Sequence, residues 1–313
     1  MVIINFIFPE HENLPEVDHY IDYFSTLGIA CYSNEKSIPK VMGKRITYIE
    51  WHIMGTHFYN KPRFLNKMEG EGLLIHEYAS LSTGTYEIIK KIKDFIKSKL
   101  GHRPDYQIFL NEYIKSKMSI DGIPNELRDM GVSKIFINNR NQYVGAKITN
   151  YDFAYVGSMA PERKIEIFLD SMIMKDKKIL LIGKPADYLV RRYSQNKNII
   201  FIGKVEQNKI PEILSQAKVC VNYVPDVYPY NRQTSTKLIE YLSLGKDVVS
   251  NKYEWVLGFI RVNDLKYDII NDEFIYIHND QKYIAPEWSS IISRLKITTK
   301  LINNENFKKY NAF

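Results

Sequence analysis

Three hydroxyl-bearing residues stand directly before a short segment of apolar periodicity in the second half of the chain. The segment belongs to residues 228–250, YPYNRQTSTKLIEYLSLGKDVVS. The hydroxyl-bearing residues are Thr234, Ser235 and Thr236. Such residues are favoured N-caps, and the apolar spacing predicts a helix that ends at Gly245. Because a helix N-terminus presents N–H groups and the positive end of its dipole, the sequence predicts a phosphate site there.

Two charged residues follow within that helix. Lys237 falls in the first turn, where a cation opposes the helix dipole but suits a bound phosphate. Glu240 lies one turn later, within reach of the ribose hydroxyls of the same ligand. An isolated Thr-Lys-x-x-Glu is more often an ordinary capped helix with both side chains in solvent. The pair therefore predicts a nucleotide site only together with other signals.

A second segment, YVGSMAPERK at residues 155–164, supplies such a signal. An apolar strand pattern ends at Gly157, Ser158 follows, and Arg163 and Lys164 open the next helix. Alone, this is a strand turn with a surface charge pair. Both segments, however, come at the carboxyl ends of predicted strands, where open parallel sheets bind their ligands. Together they predict a diphosphate site.

Motifs for other cofactor and metal sites are absent from the sequence. It contains no Gly-x-Gly-x-x-Gly, no Gly-x4-Gly-Lys-Ser/Thr, no His-Glu-x-x-His, no Cys-x-x-Cys and no Asp-x-Asp. The spacing of His52 and His57 is not a recurrent ligand spacing. We therefore expect no cofactor and no metal, with Lys, Arg and backbone N–H groups neutralising any bound diphosphate.

Short apolar runs that alternate with longer amphipathic segments predict an α/β fold with parallel sheets. The strands expected in the first half are residues 2–8, 29–32, 46–51, 73–77, 106–110 and 134–137. Those in the second half are residues 153–157, 178–183, 199–203, 219–223 and 248–250.

The polar, turn-rich residues 138–152 separate these two sets of strands. We expect a first domain over residues 1–150 and a second over residues 151–285. Residues 286–313 have helical apolar spacing and are expected to pack back on the first domain.

The composition describes a soluble, folded protein of 313 residues with 45% hydrophobic residues. Two cysteines and no run near the roughly 18 apolar residues of a membrane span indicate a cytoplasmic protein. The net charge of +7 favours an anionic partner. A nucleic-acid-binding protein is one alternative, but no zinc finger, RNP motif or Lys/Arg block supports it.

Three segments, in this order and spacing, resemble a known family. YVGSMAPERK, IIFIGKVEQNKIPEILSQAKVCVNYV and TSTKLIEYLSLGKDVV are similar to the donor-nucleotide half of GT-B glycosyltransferases of group 1, which include bacterial lipopolysaccharide and capsule sugar transferases. The resemblance covers residues 152–255. LLIHEYASLSTG and RPDYQIFLNEYI are similar to segments of bacterial surface-polysaccharide members. The resemblance implies two Rossmann-like lobes whose parallel sheets face a central cleft.

The resemblance also implies site residues. Glu240 would bind the ribose, Arg163 and Lys237 the diphosphate, and backbone groups at Lys204 and Val205 the base. Arg232 stands where the family carries a glutamate that contacts the transferred sugar. The full donor-nucleotide set is Gly157, Ser158, Arg163, Lys164, Lys204, Val205, Ser235, Thr236, Lys237 and Glu240. The expected sugar contacts are Tyr230, Asn231, Gln233 and Thr234.

The acceptor is expected in the first lobe, where His76 and Glu77 end a predicted strand. A retaining enzyme needs no protein base, whereas an inverting one needs a carboxylate or imidazole near the acceptor hydroxyl. His76, Glu77 and Glu112 are the candidates for that base, and His76 and Glu77 are the expected catalytic residues.

The predicted function is metal-independent transfer of a sugar from a nucleotide diphosphate, most simply a UDP-sugar, to a glycan or lipid-linked acceptor in bacterial polysaccharide synthesis. A nucleotide-sugar epimerase of the same fold is the alternative. It would need several acid/base groups around the sugar, which the sequence does not show.

Residues 86–103, YEIIKKIKDFIKSKLGHR, form an amphipathic pattern. Ile89, Ile92, Ile96 and Leu100 would pack on the first sheet and Lys90, Lys93 and Lys97 would face solvent. The alternative places the basic face on anionic lipid at the inner face of the plasma membrane.

Overall fold

The computed structural model describes residues 1–9, 14–36, 46–53, 71–82, 86–140, 149–280 and 283–303. The chain divides into two units. Unit 1 comprises Met1–Gly131 and Trp288–Phe313, and unit 2 is Val132–Glu287.

Unit 1 contains a parallel sheet. Its strands in the described residues are β1 (Val2–Ile7), β2 (Ala30–Ser33), β3 (Thr47–Ile53), β4 (Glu71–Tyr78), β5 (Tyr106–Phe109) and β6 (Asn125–Leu127), in the order β2-β1-β3-β4-β5-β6. The helices are α1 (Pro15–Thr26), α2 (Glu87–Lys99) and α3 (Glu112–Met118). Every side chain of β1 is buried, as expected for an inner strand of a parallel sheet covered on both faces.

An aromatic core holds one face of this sheet. Phe6, Tyr20, Phe24 and Trp51 contact one another, joining β1 and β3 to α1. The last two helices of the described chain, α10 (Trp288–Arg294) and α11 (Lys296–Ile302), close the same core. Glu126 accepts hydrogen bonds from the backbone N–H groups of Lys296 and Ile297 and thereby caps α11. The C-terminal helices therefore belong to unit 1.

Unit 2 contains a mixed sheet with a parallel centre. Its strands are β7 (Tyr151–Val156), β8 (Ile179–Ile182), β9 (Ile199–Gly203), β10 (Ala217–Asn222), β11 (Val248–Asn251), β12 (Tyr267–Ile269) and β13 (Phe274–Ile277), in the order β12-β13-β11-β10-β7-β8-β9. Among the strand pairs of the described residues in this unit, β11–β13 and β12–β13 are antiparallel and the others are parallel. The helices are α4 (Lys134–Asn138), α5 (Ile165–Leu169), α6 (Asp187–Tyr193), α7 (Ile210–Ser215), α8 (Thr236–Ser243) and α9 (Glu254–Val262).

The predicted α/β fold with mostly parallel sheets is confirmed, but one predicted strand is wrong. Residues 134–137 form α4 rather than a strand, and Phe136 is the buried side chain of this short helix. Because α4 contacts α8, the units divide at Gly131, earlier than the polar residues 138–152. The strands β6, β12 and β13 were not predicted. β6 and β12 are three-residue strands at sheet edges, where the apolar signal is weak, whereas β13 is an apolar run that was overlooked.

Within the described residues, no helix combines the length and apolar character needed to cross a membrane.

Candidate functional site

The N-terminus of α8 is held by hydrogen bonds at the carboxyl ends of β10 and β11. Ser235 is the N-cap, and its Oγ accepts the backbone N–H of Leu238 at 3.2 Å. The same hydroxyl donates to Oδ1 of Asn222, the last residue of β10, at 2.6 Å. Asn222 Nδ2 in turn donates to Ser250 Oγ and to the Tyr253 hydroxyl. The network fixes where the helix begins while leaving its first turn half-buried.

The body of α8 is anchored more deeply. All side chains from Leu238 to Ser243 are buried. The Tyr241 hydroxyl accepts the backbone N–H of Val156 at 2.9 Å, which ties α8 to the end of β7. Burial raises the pKa of Tyr241 well above its ordinary value, so the hydroxyl stays neutral. Gly245 follows the helix with φ +87°, the left-handed conformation that favours glycine at a helix end.

Lys237 and Glu240 form an ion pair on the first turn of α8. Lys237 Nζ lies 2.7 Å from Glu240 Oε2. The Glu240 side chain is buried, whereas that of Lys237 is about one-third exposed at 35%. The structure thus brings together the two residues that the sequence predicts for phosphate and ribose, with the carboxylate fixed and the ammonium open to solvent.

Residues 155–164 lie at the carboxyl end of β7, next to β10. Gly157 N–H donates to Ile182 O, and the Tyr155 hydroxyl donates to Ser158 O. Gly183 packs so tightly on Gly157 that a Cβ at Gly183 would lie 2.1 Å from the carbonyl oxygen of Gly157. The backbone between β7 and β8 therefore requires glycine at this point.

The residues after Ser158 form a 3-10 turn over Pro161–Arg163 that ends at Lys164. Lys164 has φ +47°, a left-handed conformation that is rare for a residue with a side chain. This turn places the Arg163 guanidinium over the ring of Tyr230, 4.6 Å from the ring centroid. Burial raises the pKa of Tyr230 while Arg163 lowers it, and the net shift is upward. A neutral aromatic ring thus holds Arg163 beside the loop that leads to α8.

That loop contains the predicted sugar-binding residues. Tyr230–Arg232 is a 3-10 turn in which the Tyr230 side chain is buried. Asn231, Gln233 and Thr234 are all partly exposed. Arg232 forms an ion pair with Glu254, the first residue of α9. The Arg232 guanidinium is therefore paired with a carboxylate of α9.

The predicted base-contacting turn lies at the same edge of the sheet. It follows β9, which ends at Gly203 with φ +78°. Gly203 O accepts the backbone N–H of Gly183, which links this turn to the residues after β8. Lys204 is exposed and Val205 is partly exposed. All predicted donor-nucleotide residues thus lie at the carboxyl edge of strands β10, β7 and β9.

The two predicted catalytic residues of unit 1 point to opposite faces of the sheet, as adjacent strand residues do. Glu77 is fully buried on the aromatic core face. Its carboxylate lies 2.7 Å from Arg128 Nε and accepts a hydrogen bond from Trp51 Nε1 at 2.9 Å. Burial has the largest single effect and lowers the pKa of Arg128, but Glu77, Tyr20 and Glu16 together raise it, so the net shift is upward and the guanidinium stays charged. This enclosure indicates a structural role for Glu77 in place of the expected catalytic one.

His76 lies on the other face, where it stacks on His52 with ring centroids 5.5 Å apart. Its Nδ1 is 3.2 Å from the hydroxyl of Tyr78. Burial raises the pKa of Tyr78 to about 12, so this hydroxyl is neutral at physiological pH. The side chain of Glu112, the third candidate, is exposed at the start of α3.

In the described ranges, no group of three or more His, Cys, Asp or Glu side chains is arranged to hold a metal ion. His57 lies outside the described residues. The absence of a metal requirement stays a prediction.

Three supporting residues of the site were missed by sequence reasoning. Asn222, Tyr241 and Tyr253 position the N-terminus of α8 through the hydrogen bonds above. Asn222 was detectable in principle, because a polar residue at the end of an apolar strand is expected to need a partner.

Residues 150–262 match the family model described as group 1 glycosyl transferases. Unit 2 carries a group 1 glycosyl transferase domain. The resemblance drawn from residues 152–255 is confirmed within these matched residues. No curated protein sequence matches the chain significantly.

Solved glycosyltransferase structures share the fold of most of this chain. AviGT4, a glycosyltransferase involved in avilamycin A biosynthesis, is 12% identical with a TM-score of 0.55, covering 96% of this chain and 98% of that one. HepE (Alr3699) of Anabaena, solved in complex with UDP and glucose, is 12% identical with a TM-score of 0.52, covering 82% of each chain. At this identity the likeness shows the fold, which is GT-B as expected.

Proposed function

We propose that this glycosyltransferase moves a sugar from a UDP-linked donor, held by unit 2 without a divalent metal, to a glycan or lipid-linked acceptor of a bacterial surface polysaccharide. The observation that carries the donor site is the half-buried first turn of α8, with Lys237 on it and Arg163 held beside its loop by Tyr230. Two cations and a helix N-terminus at one strand edge suit a diphosphate. The donor class is carried over from HepE, whose structure contains UDP and glucose.

The roles of individual residues follow from their chemistry. Lys237 would exchange its ion pair with Glu240 for the diphosphate, because its ammonium is on a flexible and partly exposed side chain. The Glu240 carboxylate would then accept hydrogen bonds from the ribose hydroxyls. The phosphates are further assigned to Arg163 and Lys164, to Gly157 and Ser158, and to the N-terminal residues Ser235 and Thr236. The base is assigned to backbone groups of Lys204 and Val205.

The sugar is assigned to the loop before α8. Asn231, Gln233 and Thr234 are partly exposed and supply amide and hydroxyl groups that can donate and accept hydrogen bonds. Tyr230, whose buried ring lies under the Arg163 guanidinium, is the fourth residue assigned to the sugar. Pairing of Arg232 with Glu254 holds its charge away from a neutral sugar.

The acceptor is assigned to unit 1, with His76 as the proposed base of an inverting reaction. Glu77 is left out of this role because Arg128 and Trp51 enclose its carboxylate. A polysaccharide intermediate linked to a lipid would be met at a cytoplasmic membrane surface, where residues 86–103 are the proposed contact.

Calorimetric titration with UDP, GDP and dTDP, each with and without EDTA, tests the donor proposal. We expect one preferred nucleotide and the same affinity in EDTA. A panel of nucleotide sugars incubated without acceptor would then reveal the donor through slow hydrolysis. Loss of UDP affinity in EDTA would refute metal independence, and conversion of a nucleotide sugar to its epimer would show the alternative enzyme class.

A further inference from the structure

Helix α2 faces the rest of the protein with its polar side. Its buried residues are Lys90, Asp94 and Ser98, which are four positions apart and form one stripe along the helix. Asp94 Oδ1 accepts the backbone N–H of Ser82 at 2.8 Å, which fixes this stripe to the chain after β4. The expectation that Lys90 faces solvent while the isoleucines pack on the sheet is therefore wrong.

The opposite side of α2 is apolar and exposed. Ile88, Ile89, Ile92 and Phe95 retain between 48% and 74% of their accessible surface. Tyr86 precedes the helix and Leu100 follows it, and both are also exposed. Single exposed apolar residues are normal on protein surfaces, but a contiguous row of this kind marks an interaction surface. We call the six residues the α2 apolar face.

Basic side chains border this face. Lys91, Lys93 and Lys99 are exposed on the same helix. Residues 86–103 hold six lysines and arginines against two acidic residues. Lys90 and Asp94 are buried, and Lys91 pairs with Glu87, so the remaining exposed charge of the helix is positive. The partner of this surface should therefore offer an apolar region beneath a layer of negative charge.

We propose that the α2 apolar face inserts into the interfacial region of an anionic lipid membrane, with the bordering lysines among the lipid headgroups. Amphipathic helices that lie in membrane interfaces combine an apolar face with flanking Lys and Arg. Long lysine side chains reach the headgroups while their methylene stems stay near the acyl boundary. A second copy of the chain fits less well, because pairing two α2 faces would bring two lysine borders together.

This contact extends the proposed function, because a lipid-linked acceptor lies in the membrane to which the enzyme would be bound. Only this link to the acceptor rests on the proposed function. Membrane binding rests on the geometry of α2, so vesicle binding and nucleotide binding can fail separately.

Vesicle flotation of the full chain tests the contact. The vesicles are phosphatidylcholine alone, or phosphatidylcholine and phosphatidylglycerol in equal parts. The apolar variant is Ile88→Gln/Ile92→Gln/Phe95→Gln, whose residues lie on one side of the helix. The charge variant is Lys93→Gln/Lys99→Gln. The matched control removes three exposed apolar side chains from unit 2, as Met172→Gln/Val262→Gln/Ile284→Gln.

We expect the chain to float with anionic vesicles and not with phosphatidylcholine alone. The apolar variant should lose more than about tenfold in vesicle partitioning, because three apolar side chains no longer leave water for lipid. The charge variant should bind more weakly and lose part of its salt dependence. The control should bind like the parent chain, and all three variants should keep the circular dichroism spectrum and the UDP affinity of the parent.

Insertion has a separate spectroscopic signature. The variant Phe95→Trp should gain blue-shifted fluorescence with anionic vesicles, and brominated acyl chains should quench it.

An apolar variant that floats like the parent chain would overturn the proposal. So would a concentration-dependent dimer, seen by sedimentation without lipid and abolished in the apolar variant, because that result assigns the face to a second copy.

Discussion

At the scale of single residues, the proposed donor site contains two opposite charges that pair with each other in this structure. Glu240 is buried and fixed by the helix, whereas Lys237 is on the solvent side of the pair. A diphosphate would compete with Glu240 for the ammonium and leave the carboxylate to accept hydrogen bonds. The two residues should therefore respond differently when the phosphates or the ribose of the ligand are altered.

Lys237→Ala should weaken UDP far more than uridine, because only UDP carries the diphosphate. The expected loss for UDP is about 1.5–3 kcal/mol, the range for hydrogen bonds to charged groups. Isothermal titration with both ligands measures the difference. Lys197→Ala is the matched control, since Lys197 is exposed before β9 at the other edge of the sheet. Equal losses for UDP and uridine would rule out a phosphate contact at Lys237.

Glu240→Gln should reduce the preference for UDP over 2′-deoxy-UDP. A carboxylate accepts stronger hydrogen bonds from ribose hydroxyls than a neutral amide of the same size, and the difference is about 1 kcal/mol or more. The measurement is the ratio of the two dissociation constants in the parent and the variant. An unchanged ratio contradicts the ribose assignment even if both affinities fall.

At the scale of elements, the site is the point where α8 leaves the sheet, and its position depends on one N-cap. Ser235 joins the first turn of α8 to Asn222 at the end of β10, and Asn222 joins both to Tyr253 before α9. Three elements thus share one hydrogen-bond network at the edge where the donor is proposed to bind.

Ser235→Ala should destabilise unit 2 by about 1–2 kcal/mol, through loss of the cap and of the donor to Asn222. It should also weaken UDP, because a frayed first turn no longer aims its N–H groups at the phosphates. Urea unfolding and titration with UDP measure the two effects. Ser235→Thr keeps the hydroxyl and should restore most of both. Ser215→Ala, which removes an exposed serine hydroxyl bonded to Glu212 O, serves as the control.

At the scale of the whole molecule, the chain returns to unit 1 after completing unit 2. Trp288 begins this return. Its ring packs under the Arg128 guanidinium at 4.9 Å and stacks on His19 at 5.5 Å. Gly131 lies against it so closely that a Cβ there would come within 2.6 Å of the ring. Gly131 and Trp288, the two unit 1 residues that flank unit 2 in the sequence, are therefore in contact.

Trp288→Ala should destabilise unit 1 by about 3–5 kcal/mol, the usual cost of emptying a large aromatic site in a core. Hydrogen exchange resolved by peptide should show faster exchange in β1 and β3, with little change in β7 and β10. UDP affinity should persist at temperatures where unit 1 stays folded. Trp255→Ala, in the half-buried α9 of unit 2, should give the reverse pattern, and uniform exchange across both units in either variant would contradict this division.

The sequence by itself determined those features that depend on neighbours along the chain. Strand and helix periodicity predicted the α/β fold, and the run from Ser235 to Gly245 predicted the start and end of α8. The donor half was recognisable because its turns and caps are formed by contiguous residues.

Only the tertiary structure decided which face each element buries. It placed Glu77 in the core and His76 on the other face, and it turned the polar side of α2 inward. It also showed that residues 134–137 form a helix, which contacts α8. Local hydrogen bonding specifies an element, whereas the side that is covered depends on partners far away in the sequence.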